Sequence, residues 1–301
     1  MKNRSVIKDI HDAIDCRYEH SQMCVEHQVD WHYVEFGDSL GTVVFLLHGL
    51  PECWYSWYKV IPLLNPKFHI IAIDLKGYGR STAYDNDYDW HHLASQFIRL
   101  CDALHIRKFH IVGHDWGAII SSAIVSDYPE RILSFTRMEA ELLPLKPCLK
   151  EYIKKPQWLL FRNEKIGCSV LRKANWFIHL CYQKRGTVYG ISEEDRCYFL
   201  YEFSRKGVSE SAAQYFLPKN RDMKALFDRI AFNNYPFPVQ QLQADSDQAQ
   251  PLARFMTIEK QCQNVRLVVI KNSGHFSNLD QPQQVADAIN AIVEEVSEHV
   301  S

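Results

Sequence analysis

The chain has little of what marks a nucleic-acid binder or a membrane protein. Its 34 lysines and arginines are offset by 36 aspartates and glutamates, for a net charge of −2, and no segment is a basic run. A phosphate backbone or an anionic lipid surface therefore finds no electrostatic footprint. No apolar stretch approaches the roughly 20 residues that cross a bilayer. Residues 1–12 are charged throughout and lack the apolar segment of a signal peptide, so a cytoplasmic protein is expected, with no membrane span and no nucleic-acid partner. The nine cysteines, an odd number, include no CxxC pair; they read as reduced thiols used as small apolar residues. His91, His92 and His114 show no metal-ligand spacing, and nothing calls for a metal or cofactor. There is no internal repeat and no low-complexity segment.

What is present is an ordinary globular balance, 47% hydrophobic and 23% charged over 301 residues, enough for one large α/β domain or one with an inserted lid. Residues 29–36, 42–47 and 68–74 read as strands, the second ending at His48-Gly49 and the third closed by Lys76-Gly77-Tyr78-Gly79-Arg80. Further strands fall at 108–112, 132–138, 238–242 and 265–270, and an amphipathic helix at 283–296. Continuous apolar strands separated by helical segments predict a parallel sheet covered on both faces, an α/β fold. From 142 to 232 the chain turns aromatic, basic and helical in period. This predicts a helical lid, 142–232, inserted into a core of residues 1–141 and 233–301, above the strand ends where open parallel sheets bind ligands.

Gly113-His114-Asp115-Trp116-Gly117 lies between a strand and the apolar helical run 118–125. Glycines at both flanks permit the sharp turn of a nucleophile elbow, with a carboxylate, Asp115, where a serine is usual. A carboxylate nucleophile attacks saturated carbon and forms an ester. Hydrolysing that ester needs a base for water, and His275, in Ser273-Gly274-His275-Phe276 directly after the last strand, is placed to serve. A third group must orient the imidazole. Asp247, after the strand at 238–242, and Glu139, after the strand at 132–138, both reach that edge of the sheet, and spacing does not choose between them. The turn His48-Gly49-Leu50-Pro51 ends a central strand, so the N–H groups of Leu50 and Trp116 form a candidate oxyanion hole. His48 itself reads as a turn-stabilising residue.

With these residues the chain resembles the epoxide hydrolases and the haloalkane and haloacid dehalogenases of the α/β-hydrolase fold. The resemblance is carried by the segment from His48 to Trp57, by Asp74-Leu75-Lys76-Gly77-Tyr78-Gly79-Arg80-Ser81, by Gly113 to Gly117 and by Gly274-His275-Phe276. It implies covalent catalysis by Asp115 on a small apolar organic substrate. For an epoxide, two lid tyrosines are implied as donors to the oxygen; Tyr215 falls where one is expected, while the other position falls near Gln157-Trp158, with Tyr152 a possible substitute. For a halide, the resemblance implies Trp158, Tyr215 and Trp116 as the binding groups. The Met138-Glu139-Ala140 segment resembles the haloalkane dehalogenase pattern, whereas Asp247 fits the epoxide hydrolases better. Epoxide opening is the main expectation and dehalogenation the first alternative. A non-hydrolytic receptor, or a cofactor-independent oxygenase of luciferase type, is the second.

Overall fold

Runs such as Val43-Val44-Phe45-Leu46-Leu47 are apolar on both faces of the pleat, which suits a strand covered on both sides. The computed structural model describes residues 4–26, 28–140, 161, 163–217, 235–262 and 264–300. These form β1 (His20–Val25), β2 (Val29–Gly37), β3 (Val43–Leu47), β4 (His69–Ile73), β5 (Thr82–Ala83), β6 (Phe109–His114), β7 (Ile132–Met138), β8 (Val239–Ala244) and β9 (Val265–Ile270). All lie in one sheet, ordered β1-β2-β4-β3-β6-β7-β8-β9, with β5 beside β2. From β4 across to β9 every pairing is parallel, while β1 and β2 make an antiparallel edge. The expected strands are all present, their ends displaced by no more than two residues. Strand β1 had no counterpart because His20-Ser21-Gln22 carries no apolar signal at a half-exposed edge.

The order reverses at β3, which has β4 on one side and β6 on the other. Chain leaving β3 and β6 therefore parts in opposite directions and opens a crevice at their carboxyl ends. Behind it, the helix Trp116–Asp127 is apolar on nearly every side and buries Ala118, Ile120, Ala123 and Ile124. A helix at Trp90–Ala103 starts on Asp89, whose carboxylate accepts the N–H groups of His91 and His92. It brings Phe97 edge-on to Phe45 at 4.9 Å.

Between β7 and β8 the described residues form helices Glu164–Leu171, Ala174–His179, Glu193–Phe203 and Val208–Gln214, with no strand among them. This insertion sits on the loops that follow the strands. Phe276 N–H donates to the Gly186 carbonyl (3.0 Å), and Tyr215 Oη–H to the Lys76 carbonyl (3.0 Å). An N-terminal helix, Arg4–Asp15, braces it from outside: His11 Nε2 lies 2.7 Å from Glu202, Tyr198 Oη–H donates to Asp15 (2.8 Å), and Asp15 pairs with Arg80 of the core. Among the described residues no helix is long and apolar enough to cross a membrane.

Gly117 opens the helix behind the crevice so close to β3 that a Cβ there would lie 2.6 Å from the His48 carbonyl oxygen. Gly117→Ala is expected to destabilise the fold by about 2 kcal/mol through overpacking against backbone, read as a lower thermal midpoint. An unchanged midpoint would mean that the helix is not docked as described.

Candidate active site

Asp115 stands between β6 and the helix Trp116–Asp127 with φ 49° and ψ −113°, a conformation that costs a non-glycine residue free energy. The surroundings enforce it. Its N–H donates to the Met138 carbonyl at the end of β7 (3.1 Å), and its carbonyl accepts from Ala118 and Ile119 in the first turn (3.1 and 3.2 Å). The turn thrusts the carboxylate forward: Oδ1 accepts the Leu50 N–H at 3.0 Å, and Oδ2 lies 3.5 Å from His275 Nε2. Burial pushes the Asp115 carboxyl up, but the His275 bond, the charges of His275 and His114 and the Leu50 N–H together hold it below the usual carboxylate range.

His275 follows β9 and turns Nδ1 toward Asp247, donating to Oδ2 at 2.9 Å. Asp247 follows β8 and acts only as an acceptor, taking the N–H groups of Ala249 (2.6 Å) and Gln250 (2.9 Å) on Oδ1. Burial disfavours the imidazolium, yet Asp247 on one side and Asp115 on the other raise its pKa well above the ordinary histidine value. Both carboxylates thus favour the cationic form of the ring.

Glu139 directly follows β7 and is fully buried; its carboxyl group faces the Ser277 hydroxyl and accepts no backbone N–H. Its nearest charged neighbour is His114 Nε2 at 3.7 Å. Burial, opposed by His114 and reinforced by Asp247, pushes its pKa up to about 8, so it holds its proton at neutral pH. Both candidate acids thus come to the same edge, but only Asp247 meets the His275 ring.

His114 is fully buried. Its Nδ1–H donates to Glu52 Oε2 (2.6 Å) and its Nε2–H to the His275 carbonyl (2.8 Å). Both partners are acceptors, so the ring carries two protons; burial opposes this, but Glu52 holds its pKa up to about 9. Glu52 also accepts the Gly49 N–H at 2.6 Å. Sequence reading passed over Glu52, although an acid three residues after a turn glycine is positioned to accept that glycine's N–H. His48 does stabilise its turn: Nε2 accepts from Leu75 N–H (2.9 Å) while Nδ1–H donates to Gly49 (2.8 Å), and burial lowers its pKa.

Trp116 begins the elbow helix, and its indole packs edge-on against Phe216 at 4.9 Å and lies 6.0 Å from the Tyr215 ring. Tyr215 is thus beside the elbow, buried, with its hydroxyl on the Lys76 carbonyl. Tyr152, Gln157 and Trp158 lie outside the described residues. Among the described residues, one set of side chains, His11, Asp15 and Glu202, comes within metal-binding reach. Arg80 and Arg205 already face its carboxylates, leaving no uncountered charge for a cation.

An elbow carboxylate, a histidine–aspartate pair behind it and a backbone donor in front, all on loops at the carboxyl ends of a parallel sheet, define a hydrolase-like α/β site. The chain belongs to the α/β-hydrolase fold family, whose model matches residues 42–282. It is similar to epoxide hydrolase 3 of Siraitia grosvenorii, 38% identical over 112 residues that cover 36% of this chain and 35% of that protein. It is also similar to epoxide hydrolase 3 of Xenopus tropicalis, 24% identical over 284 residues, covering 89% and 75%. Several curated relatives are matched over only 23–37% of their own length. The solved structure of the epoxide hydrolase CorEH superposes with a TM-score of 0.80 at 23% identity, covering 92% of this chain and 99% of that one, a likeness of fold.

Because two carboxylates raise the His275 pKa, Asp115→Asn removes one of them and is expected to move it down toward the ordinary value. Titration of the His275 ring by NMR checks this; an equal pKa in both proteins would mean that Asp115 and His275 do not share the site.

Proposed function

We propose that the protein is an epoxide hydrolase acting through an ester on Asp115. The observation that carries the reading is the division of labour between the two oxygens of that carboxylate. Oδ1 is engaged by the Leu50 N–H, and Oδ2 faces the His275 ring. Oδ2 attacks an epoxide carbon, the ring C–O bond breaks, and the departing oxygen takes a proton from Tyr215, whose O–H rotates away from the Lys76 carbonyl. A second donor from the Gln157–Trp158 region, or Tyr152, shares that load.

Esterification removes the negative charge of Asp115, one of the two that keep His275 protonated. The ring then yields its proton to the phenolate that Tyr215 became on ring opening, restoring the phenol, and becomes a base at the step that needs one. Water attacks Cγ as His275 takes its proton; Oδ1 becomes the oxyanion, held by the N–H groups of Leu50 and Trp116. Collapse breaks the Cγ–Oδ2 bond, the leaving alkoxide takes the proton from His275 and departs as the diol, and the carboxyl group left on Asp115 passes its proton back to His275. Asp247 orients the imidazole and balances its charge, and Glu139, protonated at neutral pH, does not compete. The helical insertion, 142–232, is the lid over a core of 1–141 and 233–301. Its aromatic content favours a small apolar substrate, as do the epoxide hydrolases among the relatives.

Incubation with aryl and alkyl epoxides is expected to yield diols, and haloalkanes no halide; halide without diol would transfer the same machinery to dehalogenation. The variant His275→Gln is expected to accumulate a covalent adduct on Asp115 by mass spectrometry, since the ester forms but water is not activated. At neutral pH, Asp247→Asn is expected to lower kcat by about 10³-fold or more and Glu139→Gln by less than about threefold. The reverse ranking would make Glu139 the orienting acid.

A further inference from the structure

Lys76, in the turn after β4, has a side chain only 1% exposed. A buried ammonium is costly unless all its protons are met, and here they are. Nζ donates to the Asp85 carboxylate, to the Asp87 carbonyl (2.8 Å) and to Gln96 Oε1 (3.0 Å), and it sits 5.0 Å from the centre of the Tyr88 ring. Asp85 is tied in turn by Gln96 Nε2 (2.9 Å). Three directed bonds on a charge specify a position in a way that an apolar side chain of the same volume does not.

The other end of this residue meets the helical insertion. The Lys76 carbonyl accepts the Tyr215 hydroxyl at 3.0 Å, and the next residue, Gly77, has φ 75° and approaches Ser211 so closely that a Cβ would overlap its side chain. Ser211 Oγ accepts the Tyr88 hydroxyl at 2.8 Å. Helix Val208–Gln214, which leads into Tyr215, is thus seated on the turn Lys76-Gly77 and on Tyr88, both organised by the same ammonium.

We infer that Lys76 is a positioning residue for Tyr215: its tethered ammonium fixes the carbonyl and the turn that hold the phenol beside the elbow. This rests on the reading of Tyr215 as the donor to the departing oxygen. Lys76 touches neither substrate nor Asp115; it acts through the aim of the phenol, where a displacement of about 1 Å costs up to ~10²-fold in rate.

The test compares the full-length chain with Lys76→Met, Tyr215→Phe and the double variant, following diol formation from styrene oxide and the ¹⁹F spectrum of 3-fluorotyrosine-labelled protein. Lys76→Met is expected to lower kcat by about tenfold or more with KM little changed, and to add no loss in the Tyr215→Phe background. Equal losses in both backgrounds overturn the inference, because a general loosening of the fold acts whether or not the phenol is present. The Tyr215 resonance, assigned by its absence from Tyr215→Phe, is expected to shift in Lys76→Met whether or not the epoxide is turned over; an unmoved resonance also overturns the inference. Full turnover by Tyr215→Phe removes the donor reading and with it the role of Lys76 in the reaction, while absence of diol from the unaltered chain removes the epoxide reading and leaves the spectrum to decide placement. If Lys76→Met does not fold, Asp85→Asn, which keeps the shape and weakens the tether, carries the same cycle and the same spectrum.

Discussion

The buried pair between His114 and Glu52 is the contact on which the site depends. His114 is the last residue of β6, one before the nucleophile, and Glu52 lies in the turn after β3; the 2.6 Å bond between them ties elbow to turn. Glu52 holds the Gly49 N–H, next to the Leu50 N–H that meets Asp115, and the second proton of His114 holds the backbone of His275. One ion pair therefore fixes the spacing of Asp115, the Leu50 N–H and His275. Its strength comes from the absence of water around it: removing one member of a buried pair leaves an uncompensated charge, at a cost of about 3–5 kcal/mol.

Charge balance around His275 follows from the same enclosure. Three carboxyl groups, those of Asp115, Asp247 and Glu139, converge around His275 in little solvent, with Glu52 paired to the neighbouring His114, and the three cannot all be ionised together. The two that accept well-aimed N–H groups face the His275 ring, and Glu139, whose oxygens accept none, is the one that retains its proton. This arrangement favours the cationic form of His275, through both Asp115 and Asp247.

Much of the site was legible because its chemistry is local in sequence. Asp115 follows a strand and is flanked by glycines that permit an unusual backbone angle, and His275 follows the last strand; in parallel sheets such positions share one edge. Glu139 and Asp247 were equally legible and equally placed, because spacing locates a carboxyl group along the sheet edge but not the direction of its oxygens. Glu52 and Lys76 were not legible as site residues. Each makes its decisive contacts with chain that is far away in sequence, Glu52 with His114 and Asn278, and Lys76 with Gln96 and, through its carbonyl, Tyr215.

By itself the sequence determined the parallel sheet, the elbow that carries Asp115, the placing of His275 after the last strand, and a helical stretch between two adjacent strands, because these rest on periodicity and on turn chemistry written within a few residues. Only the tertiary structure decided which acid meets the histidine, which of the buried groups carry protons, and where the Tyr215 hydroxyl is directed. Those outcomes are set by desolvation and by distances of about 3 Å between segments far apart in sequence, 161 residues for His114 and His275, and no local pattern encodes them.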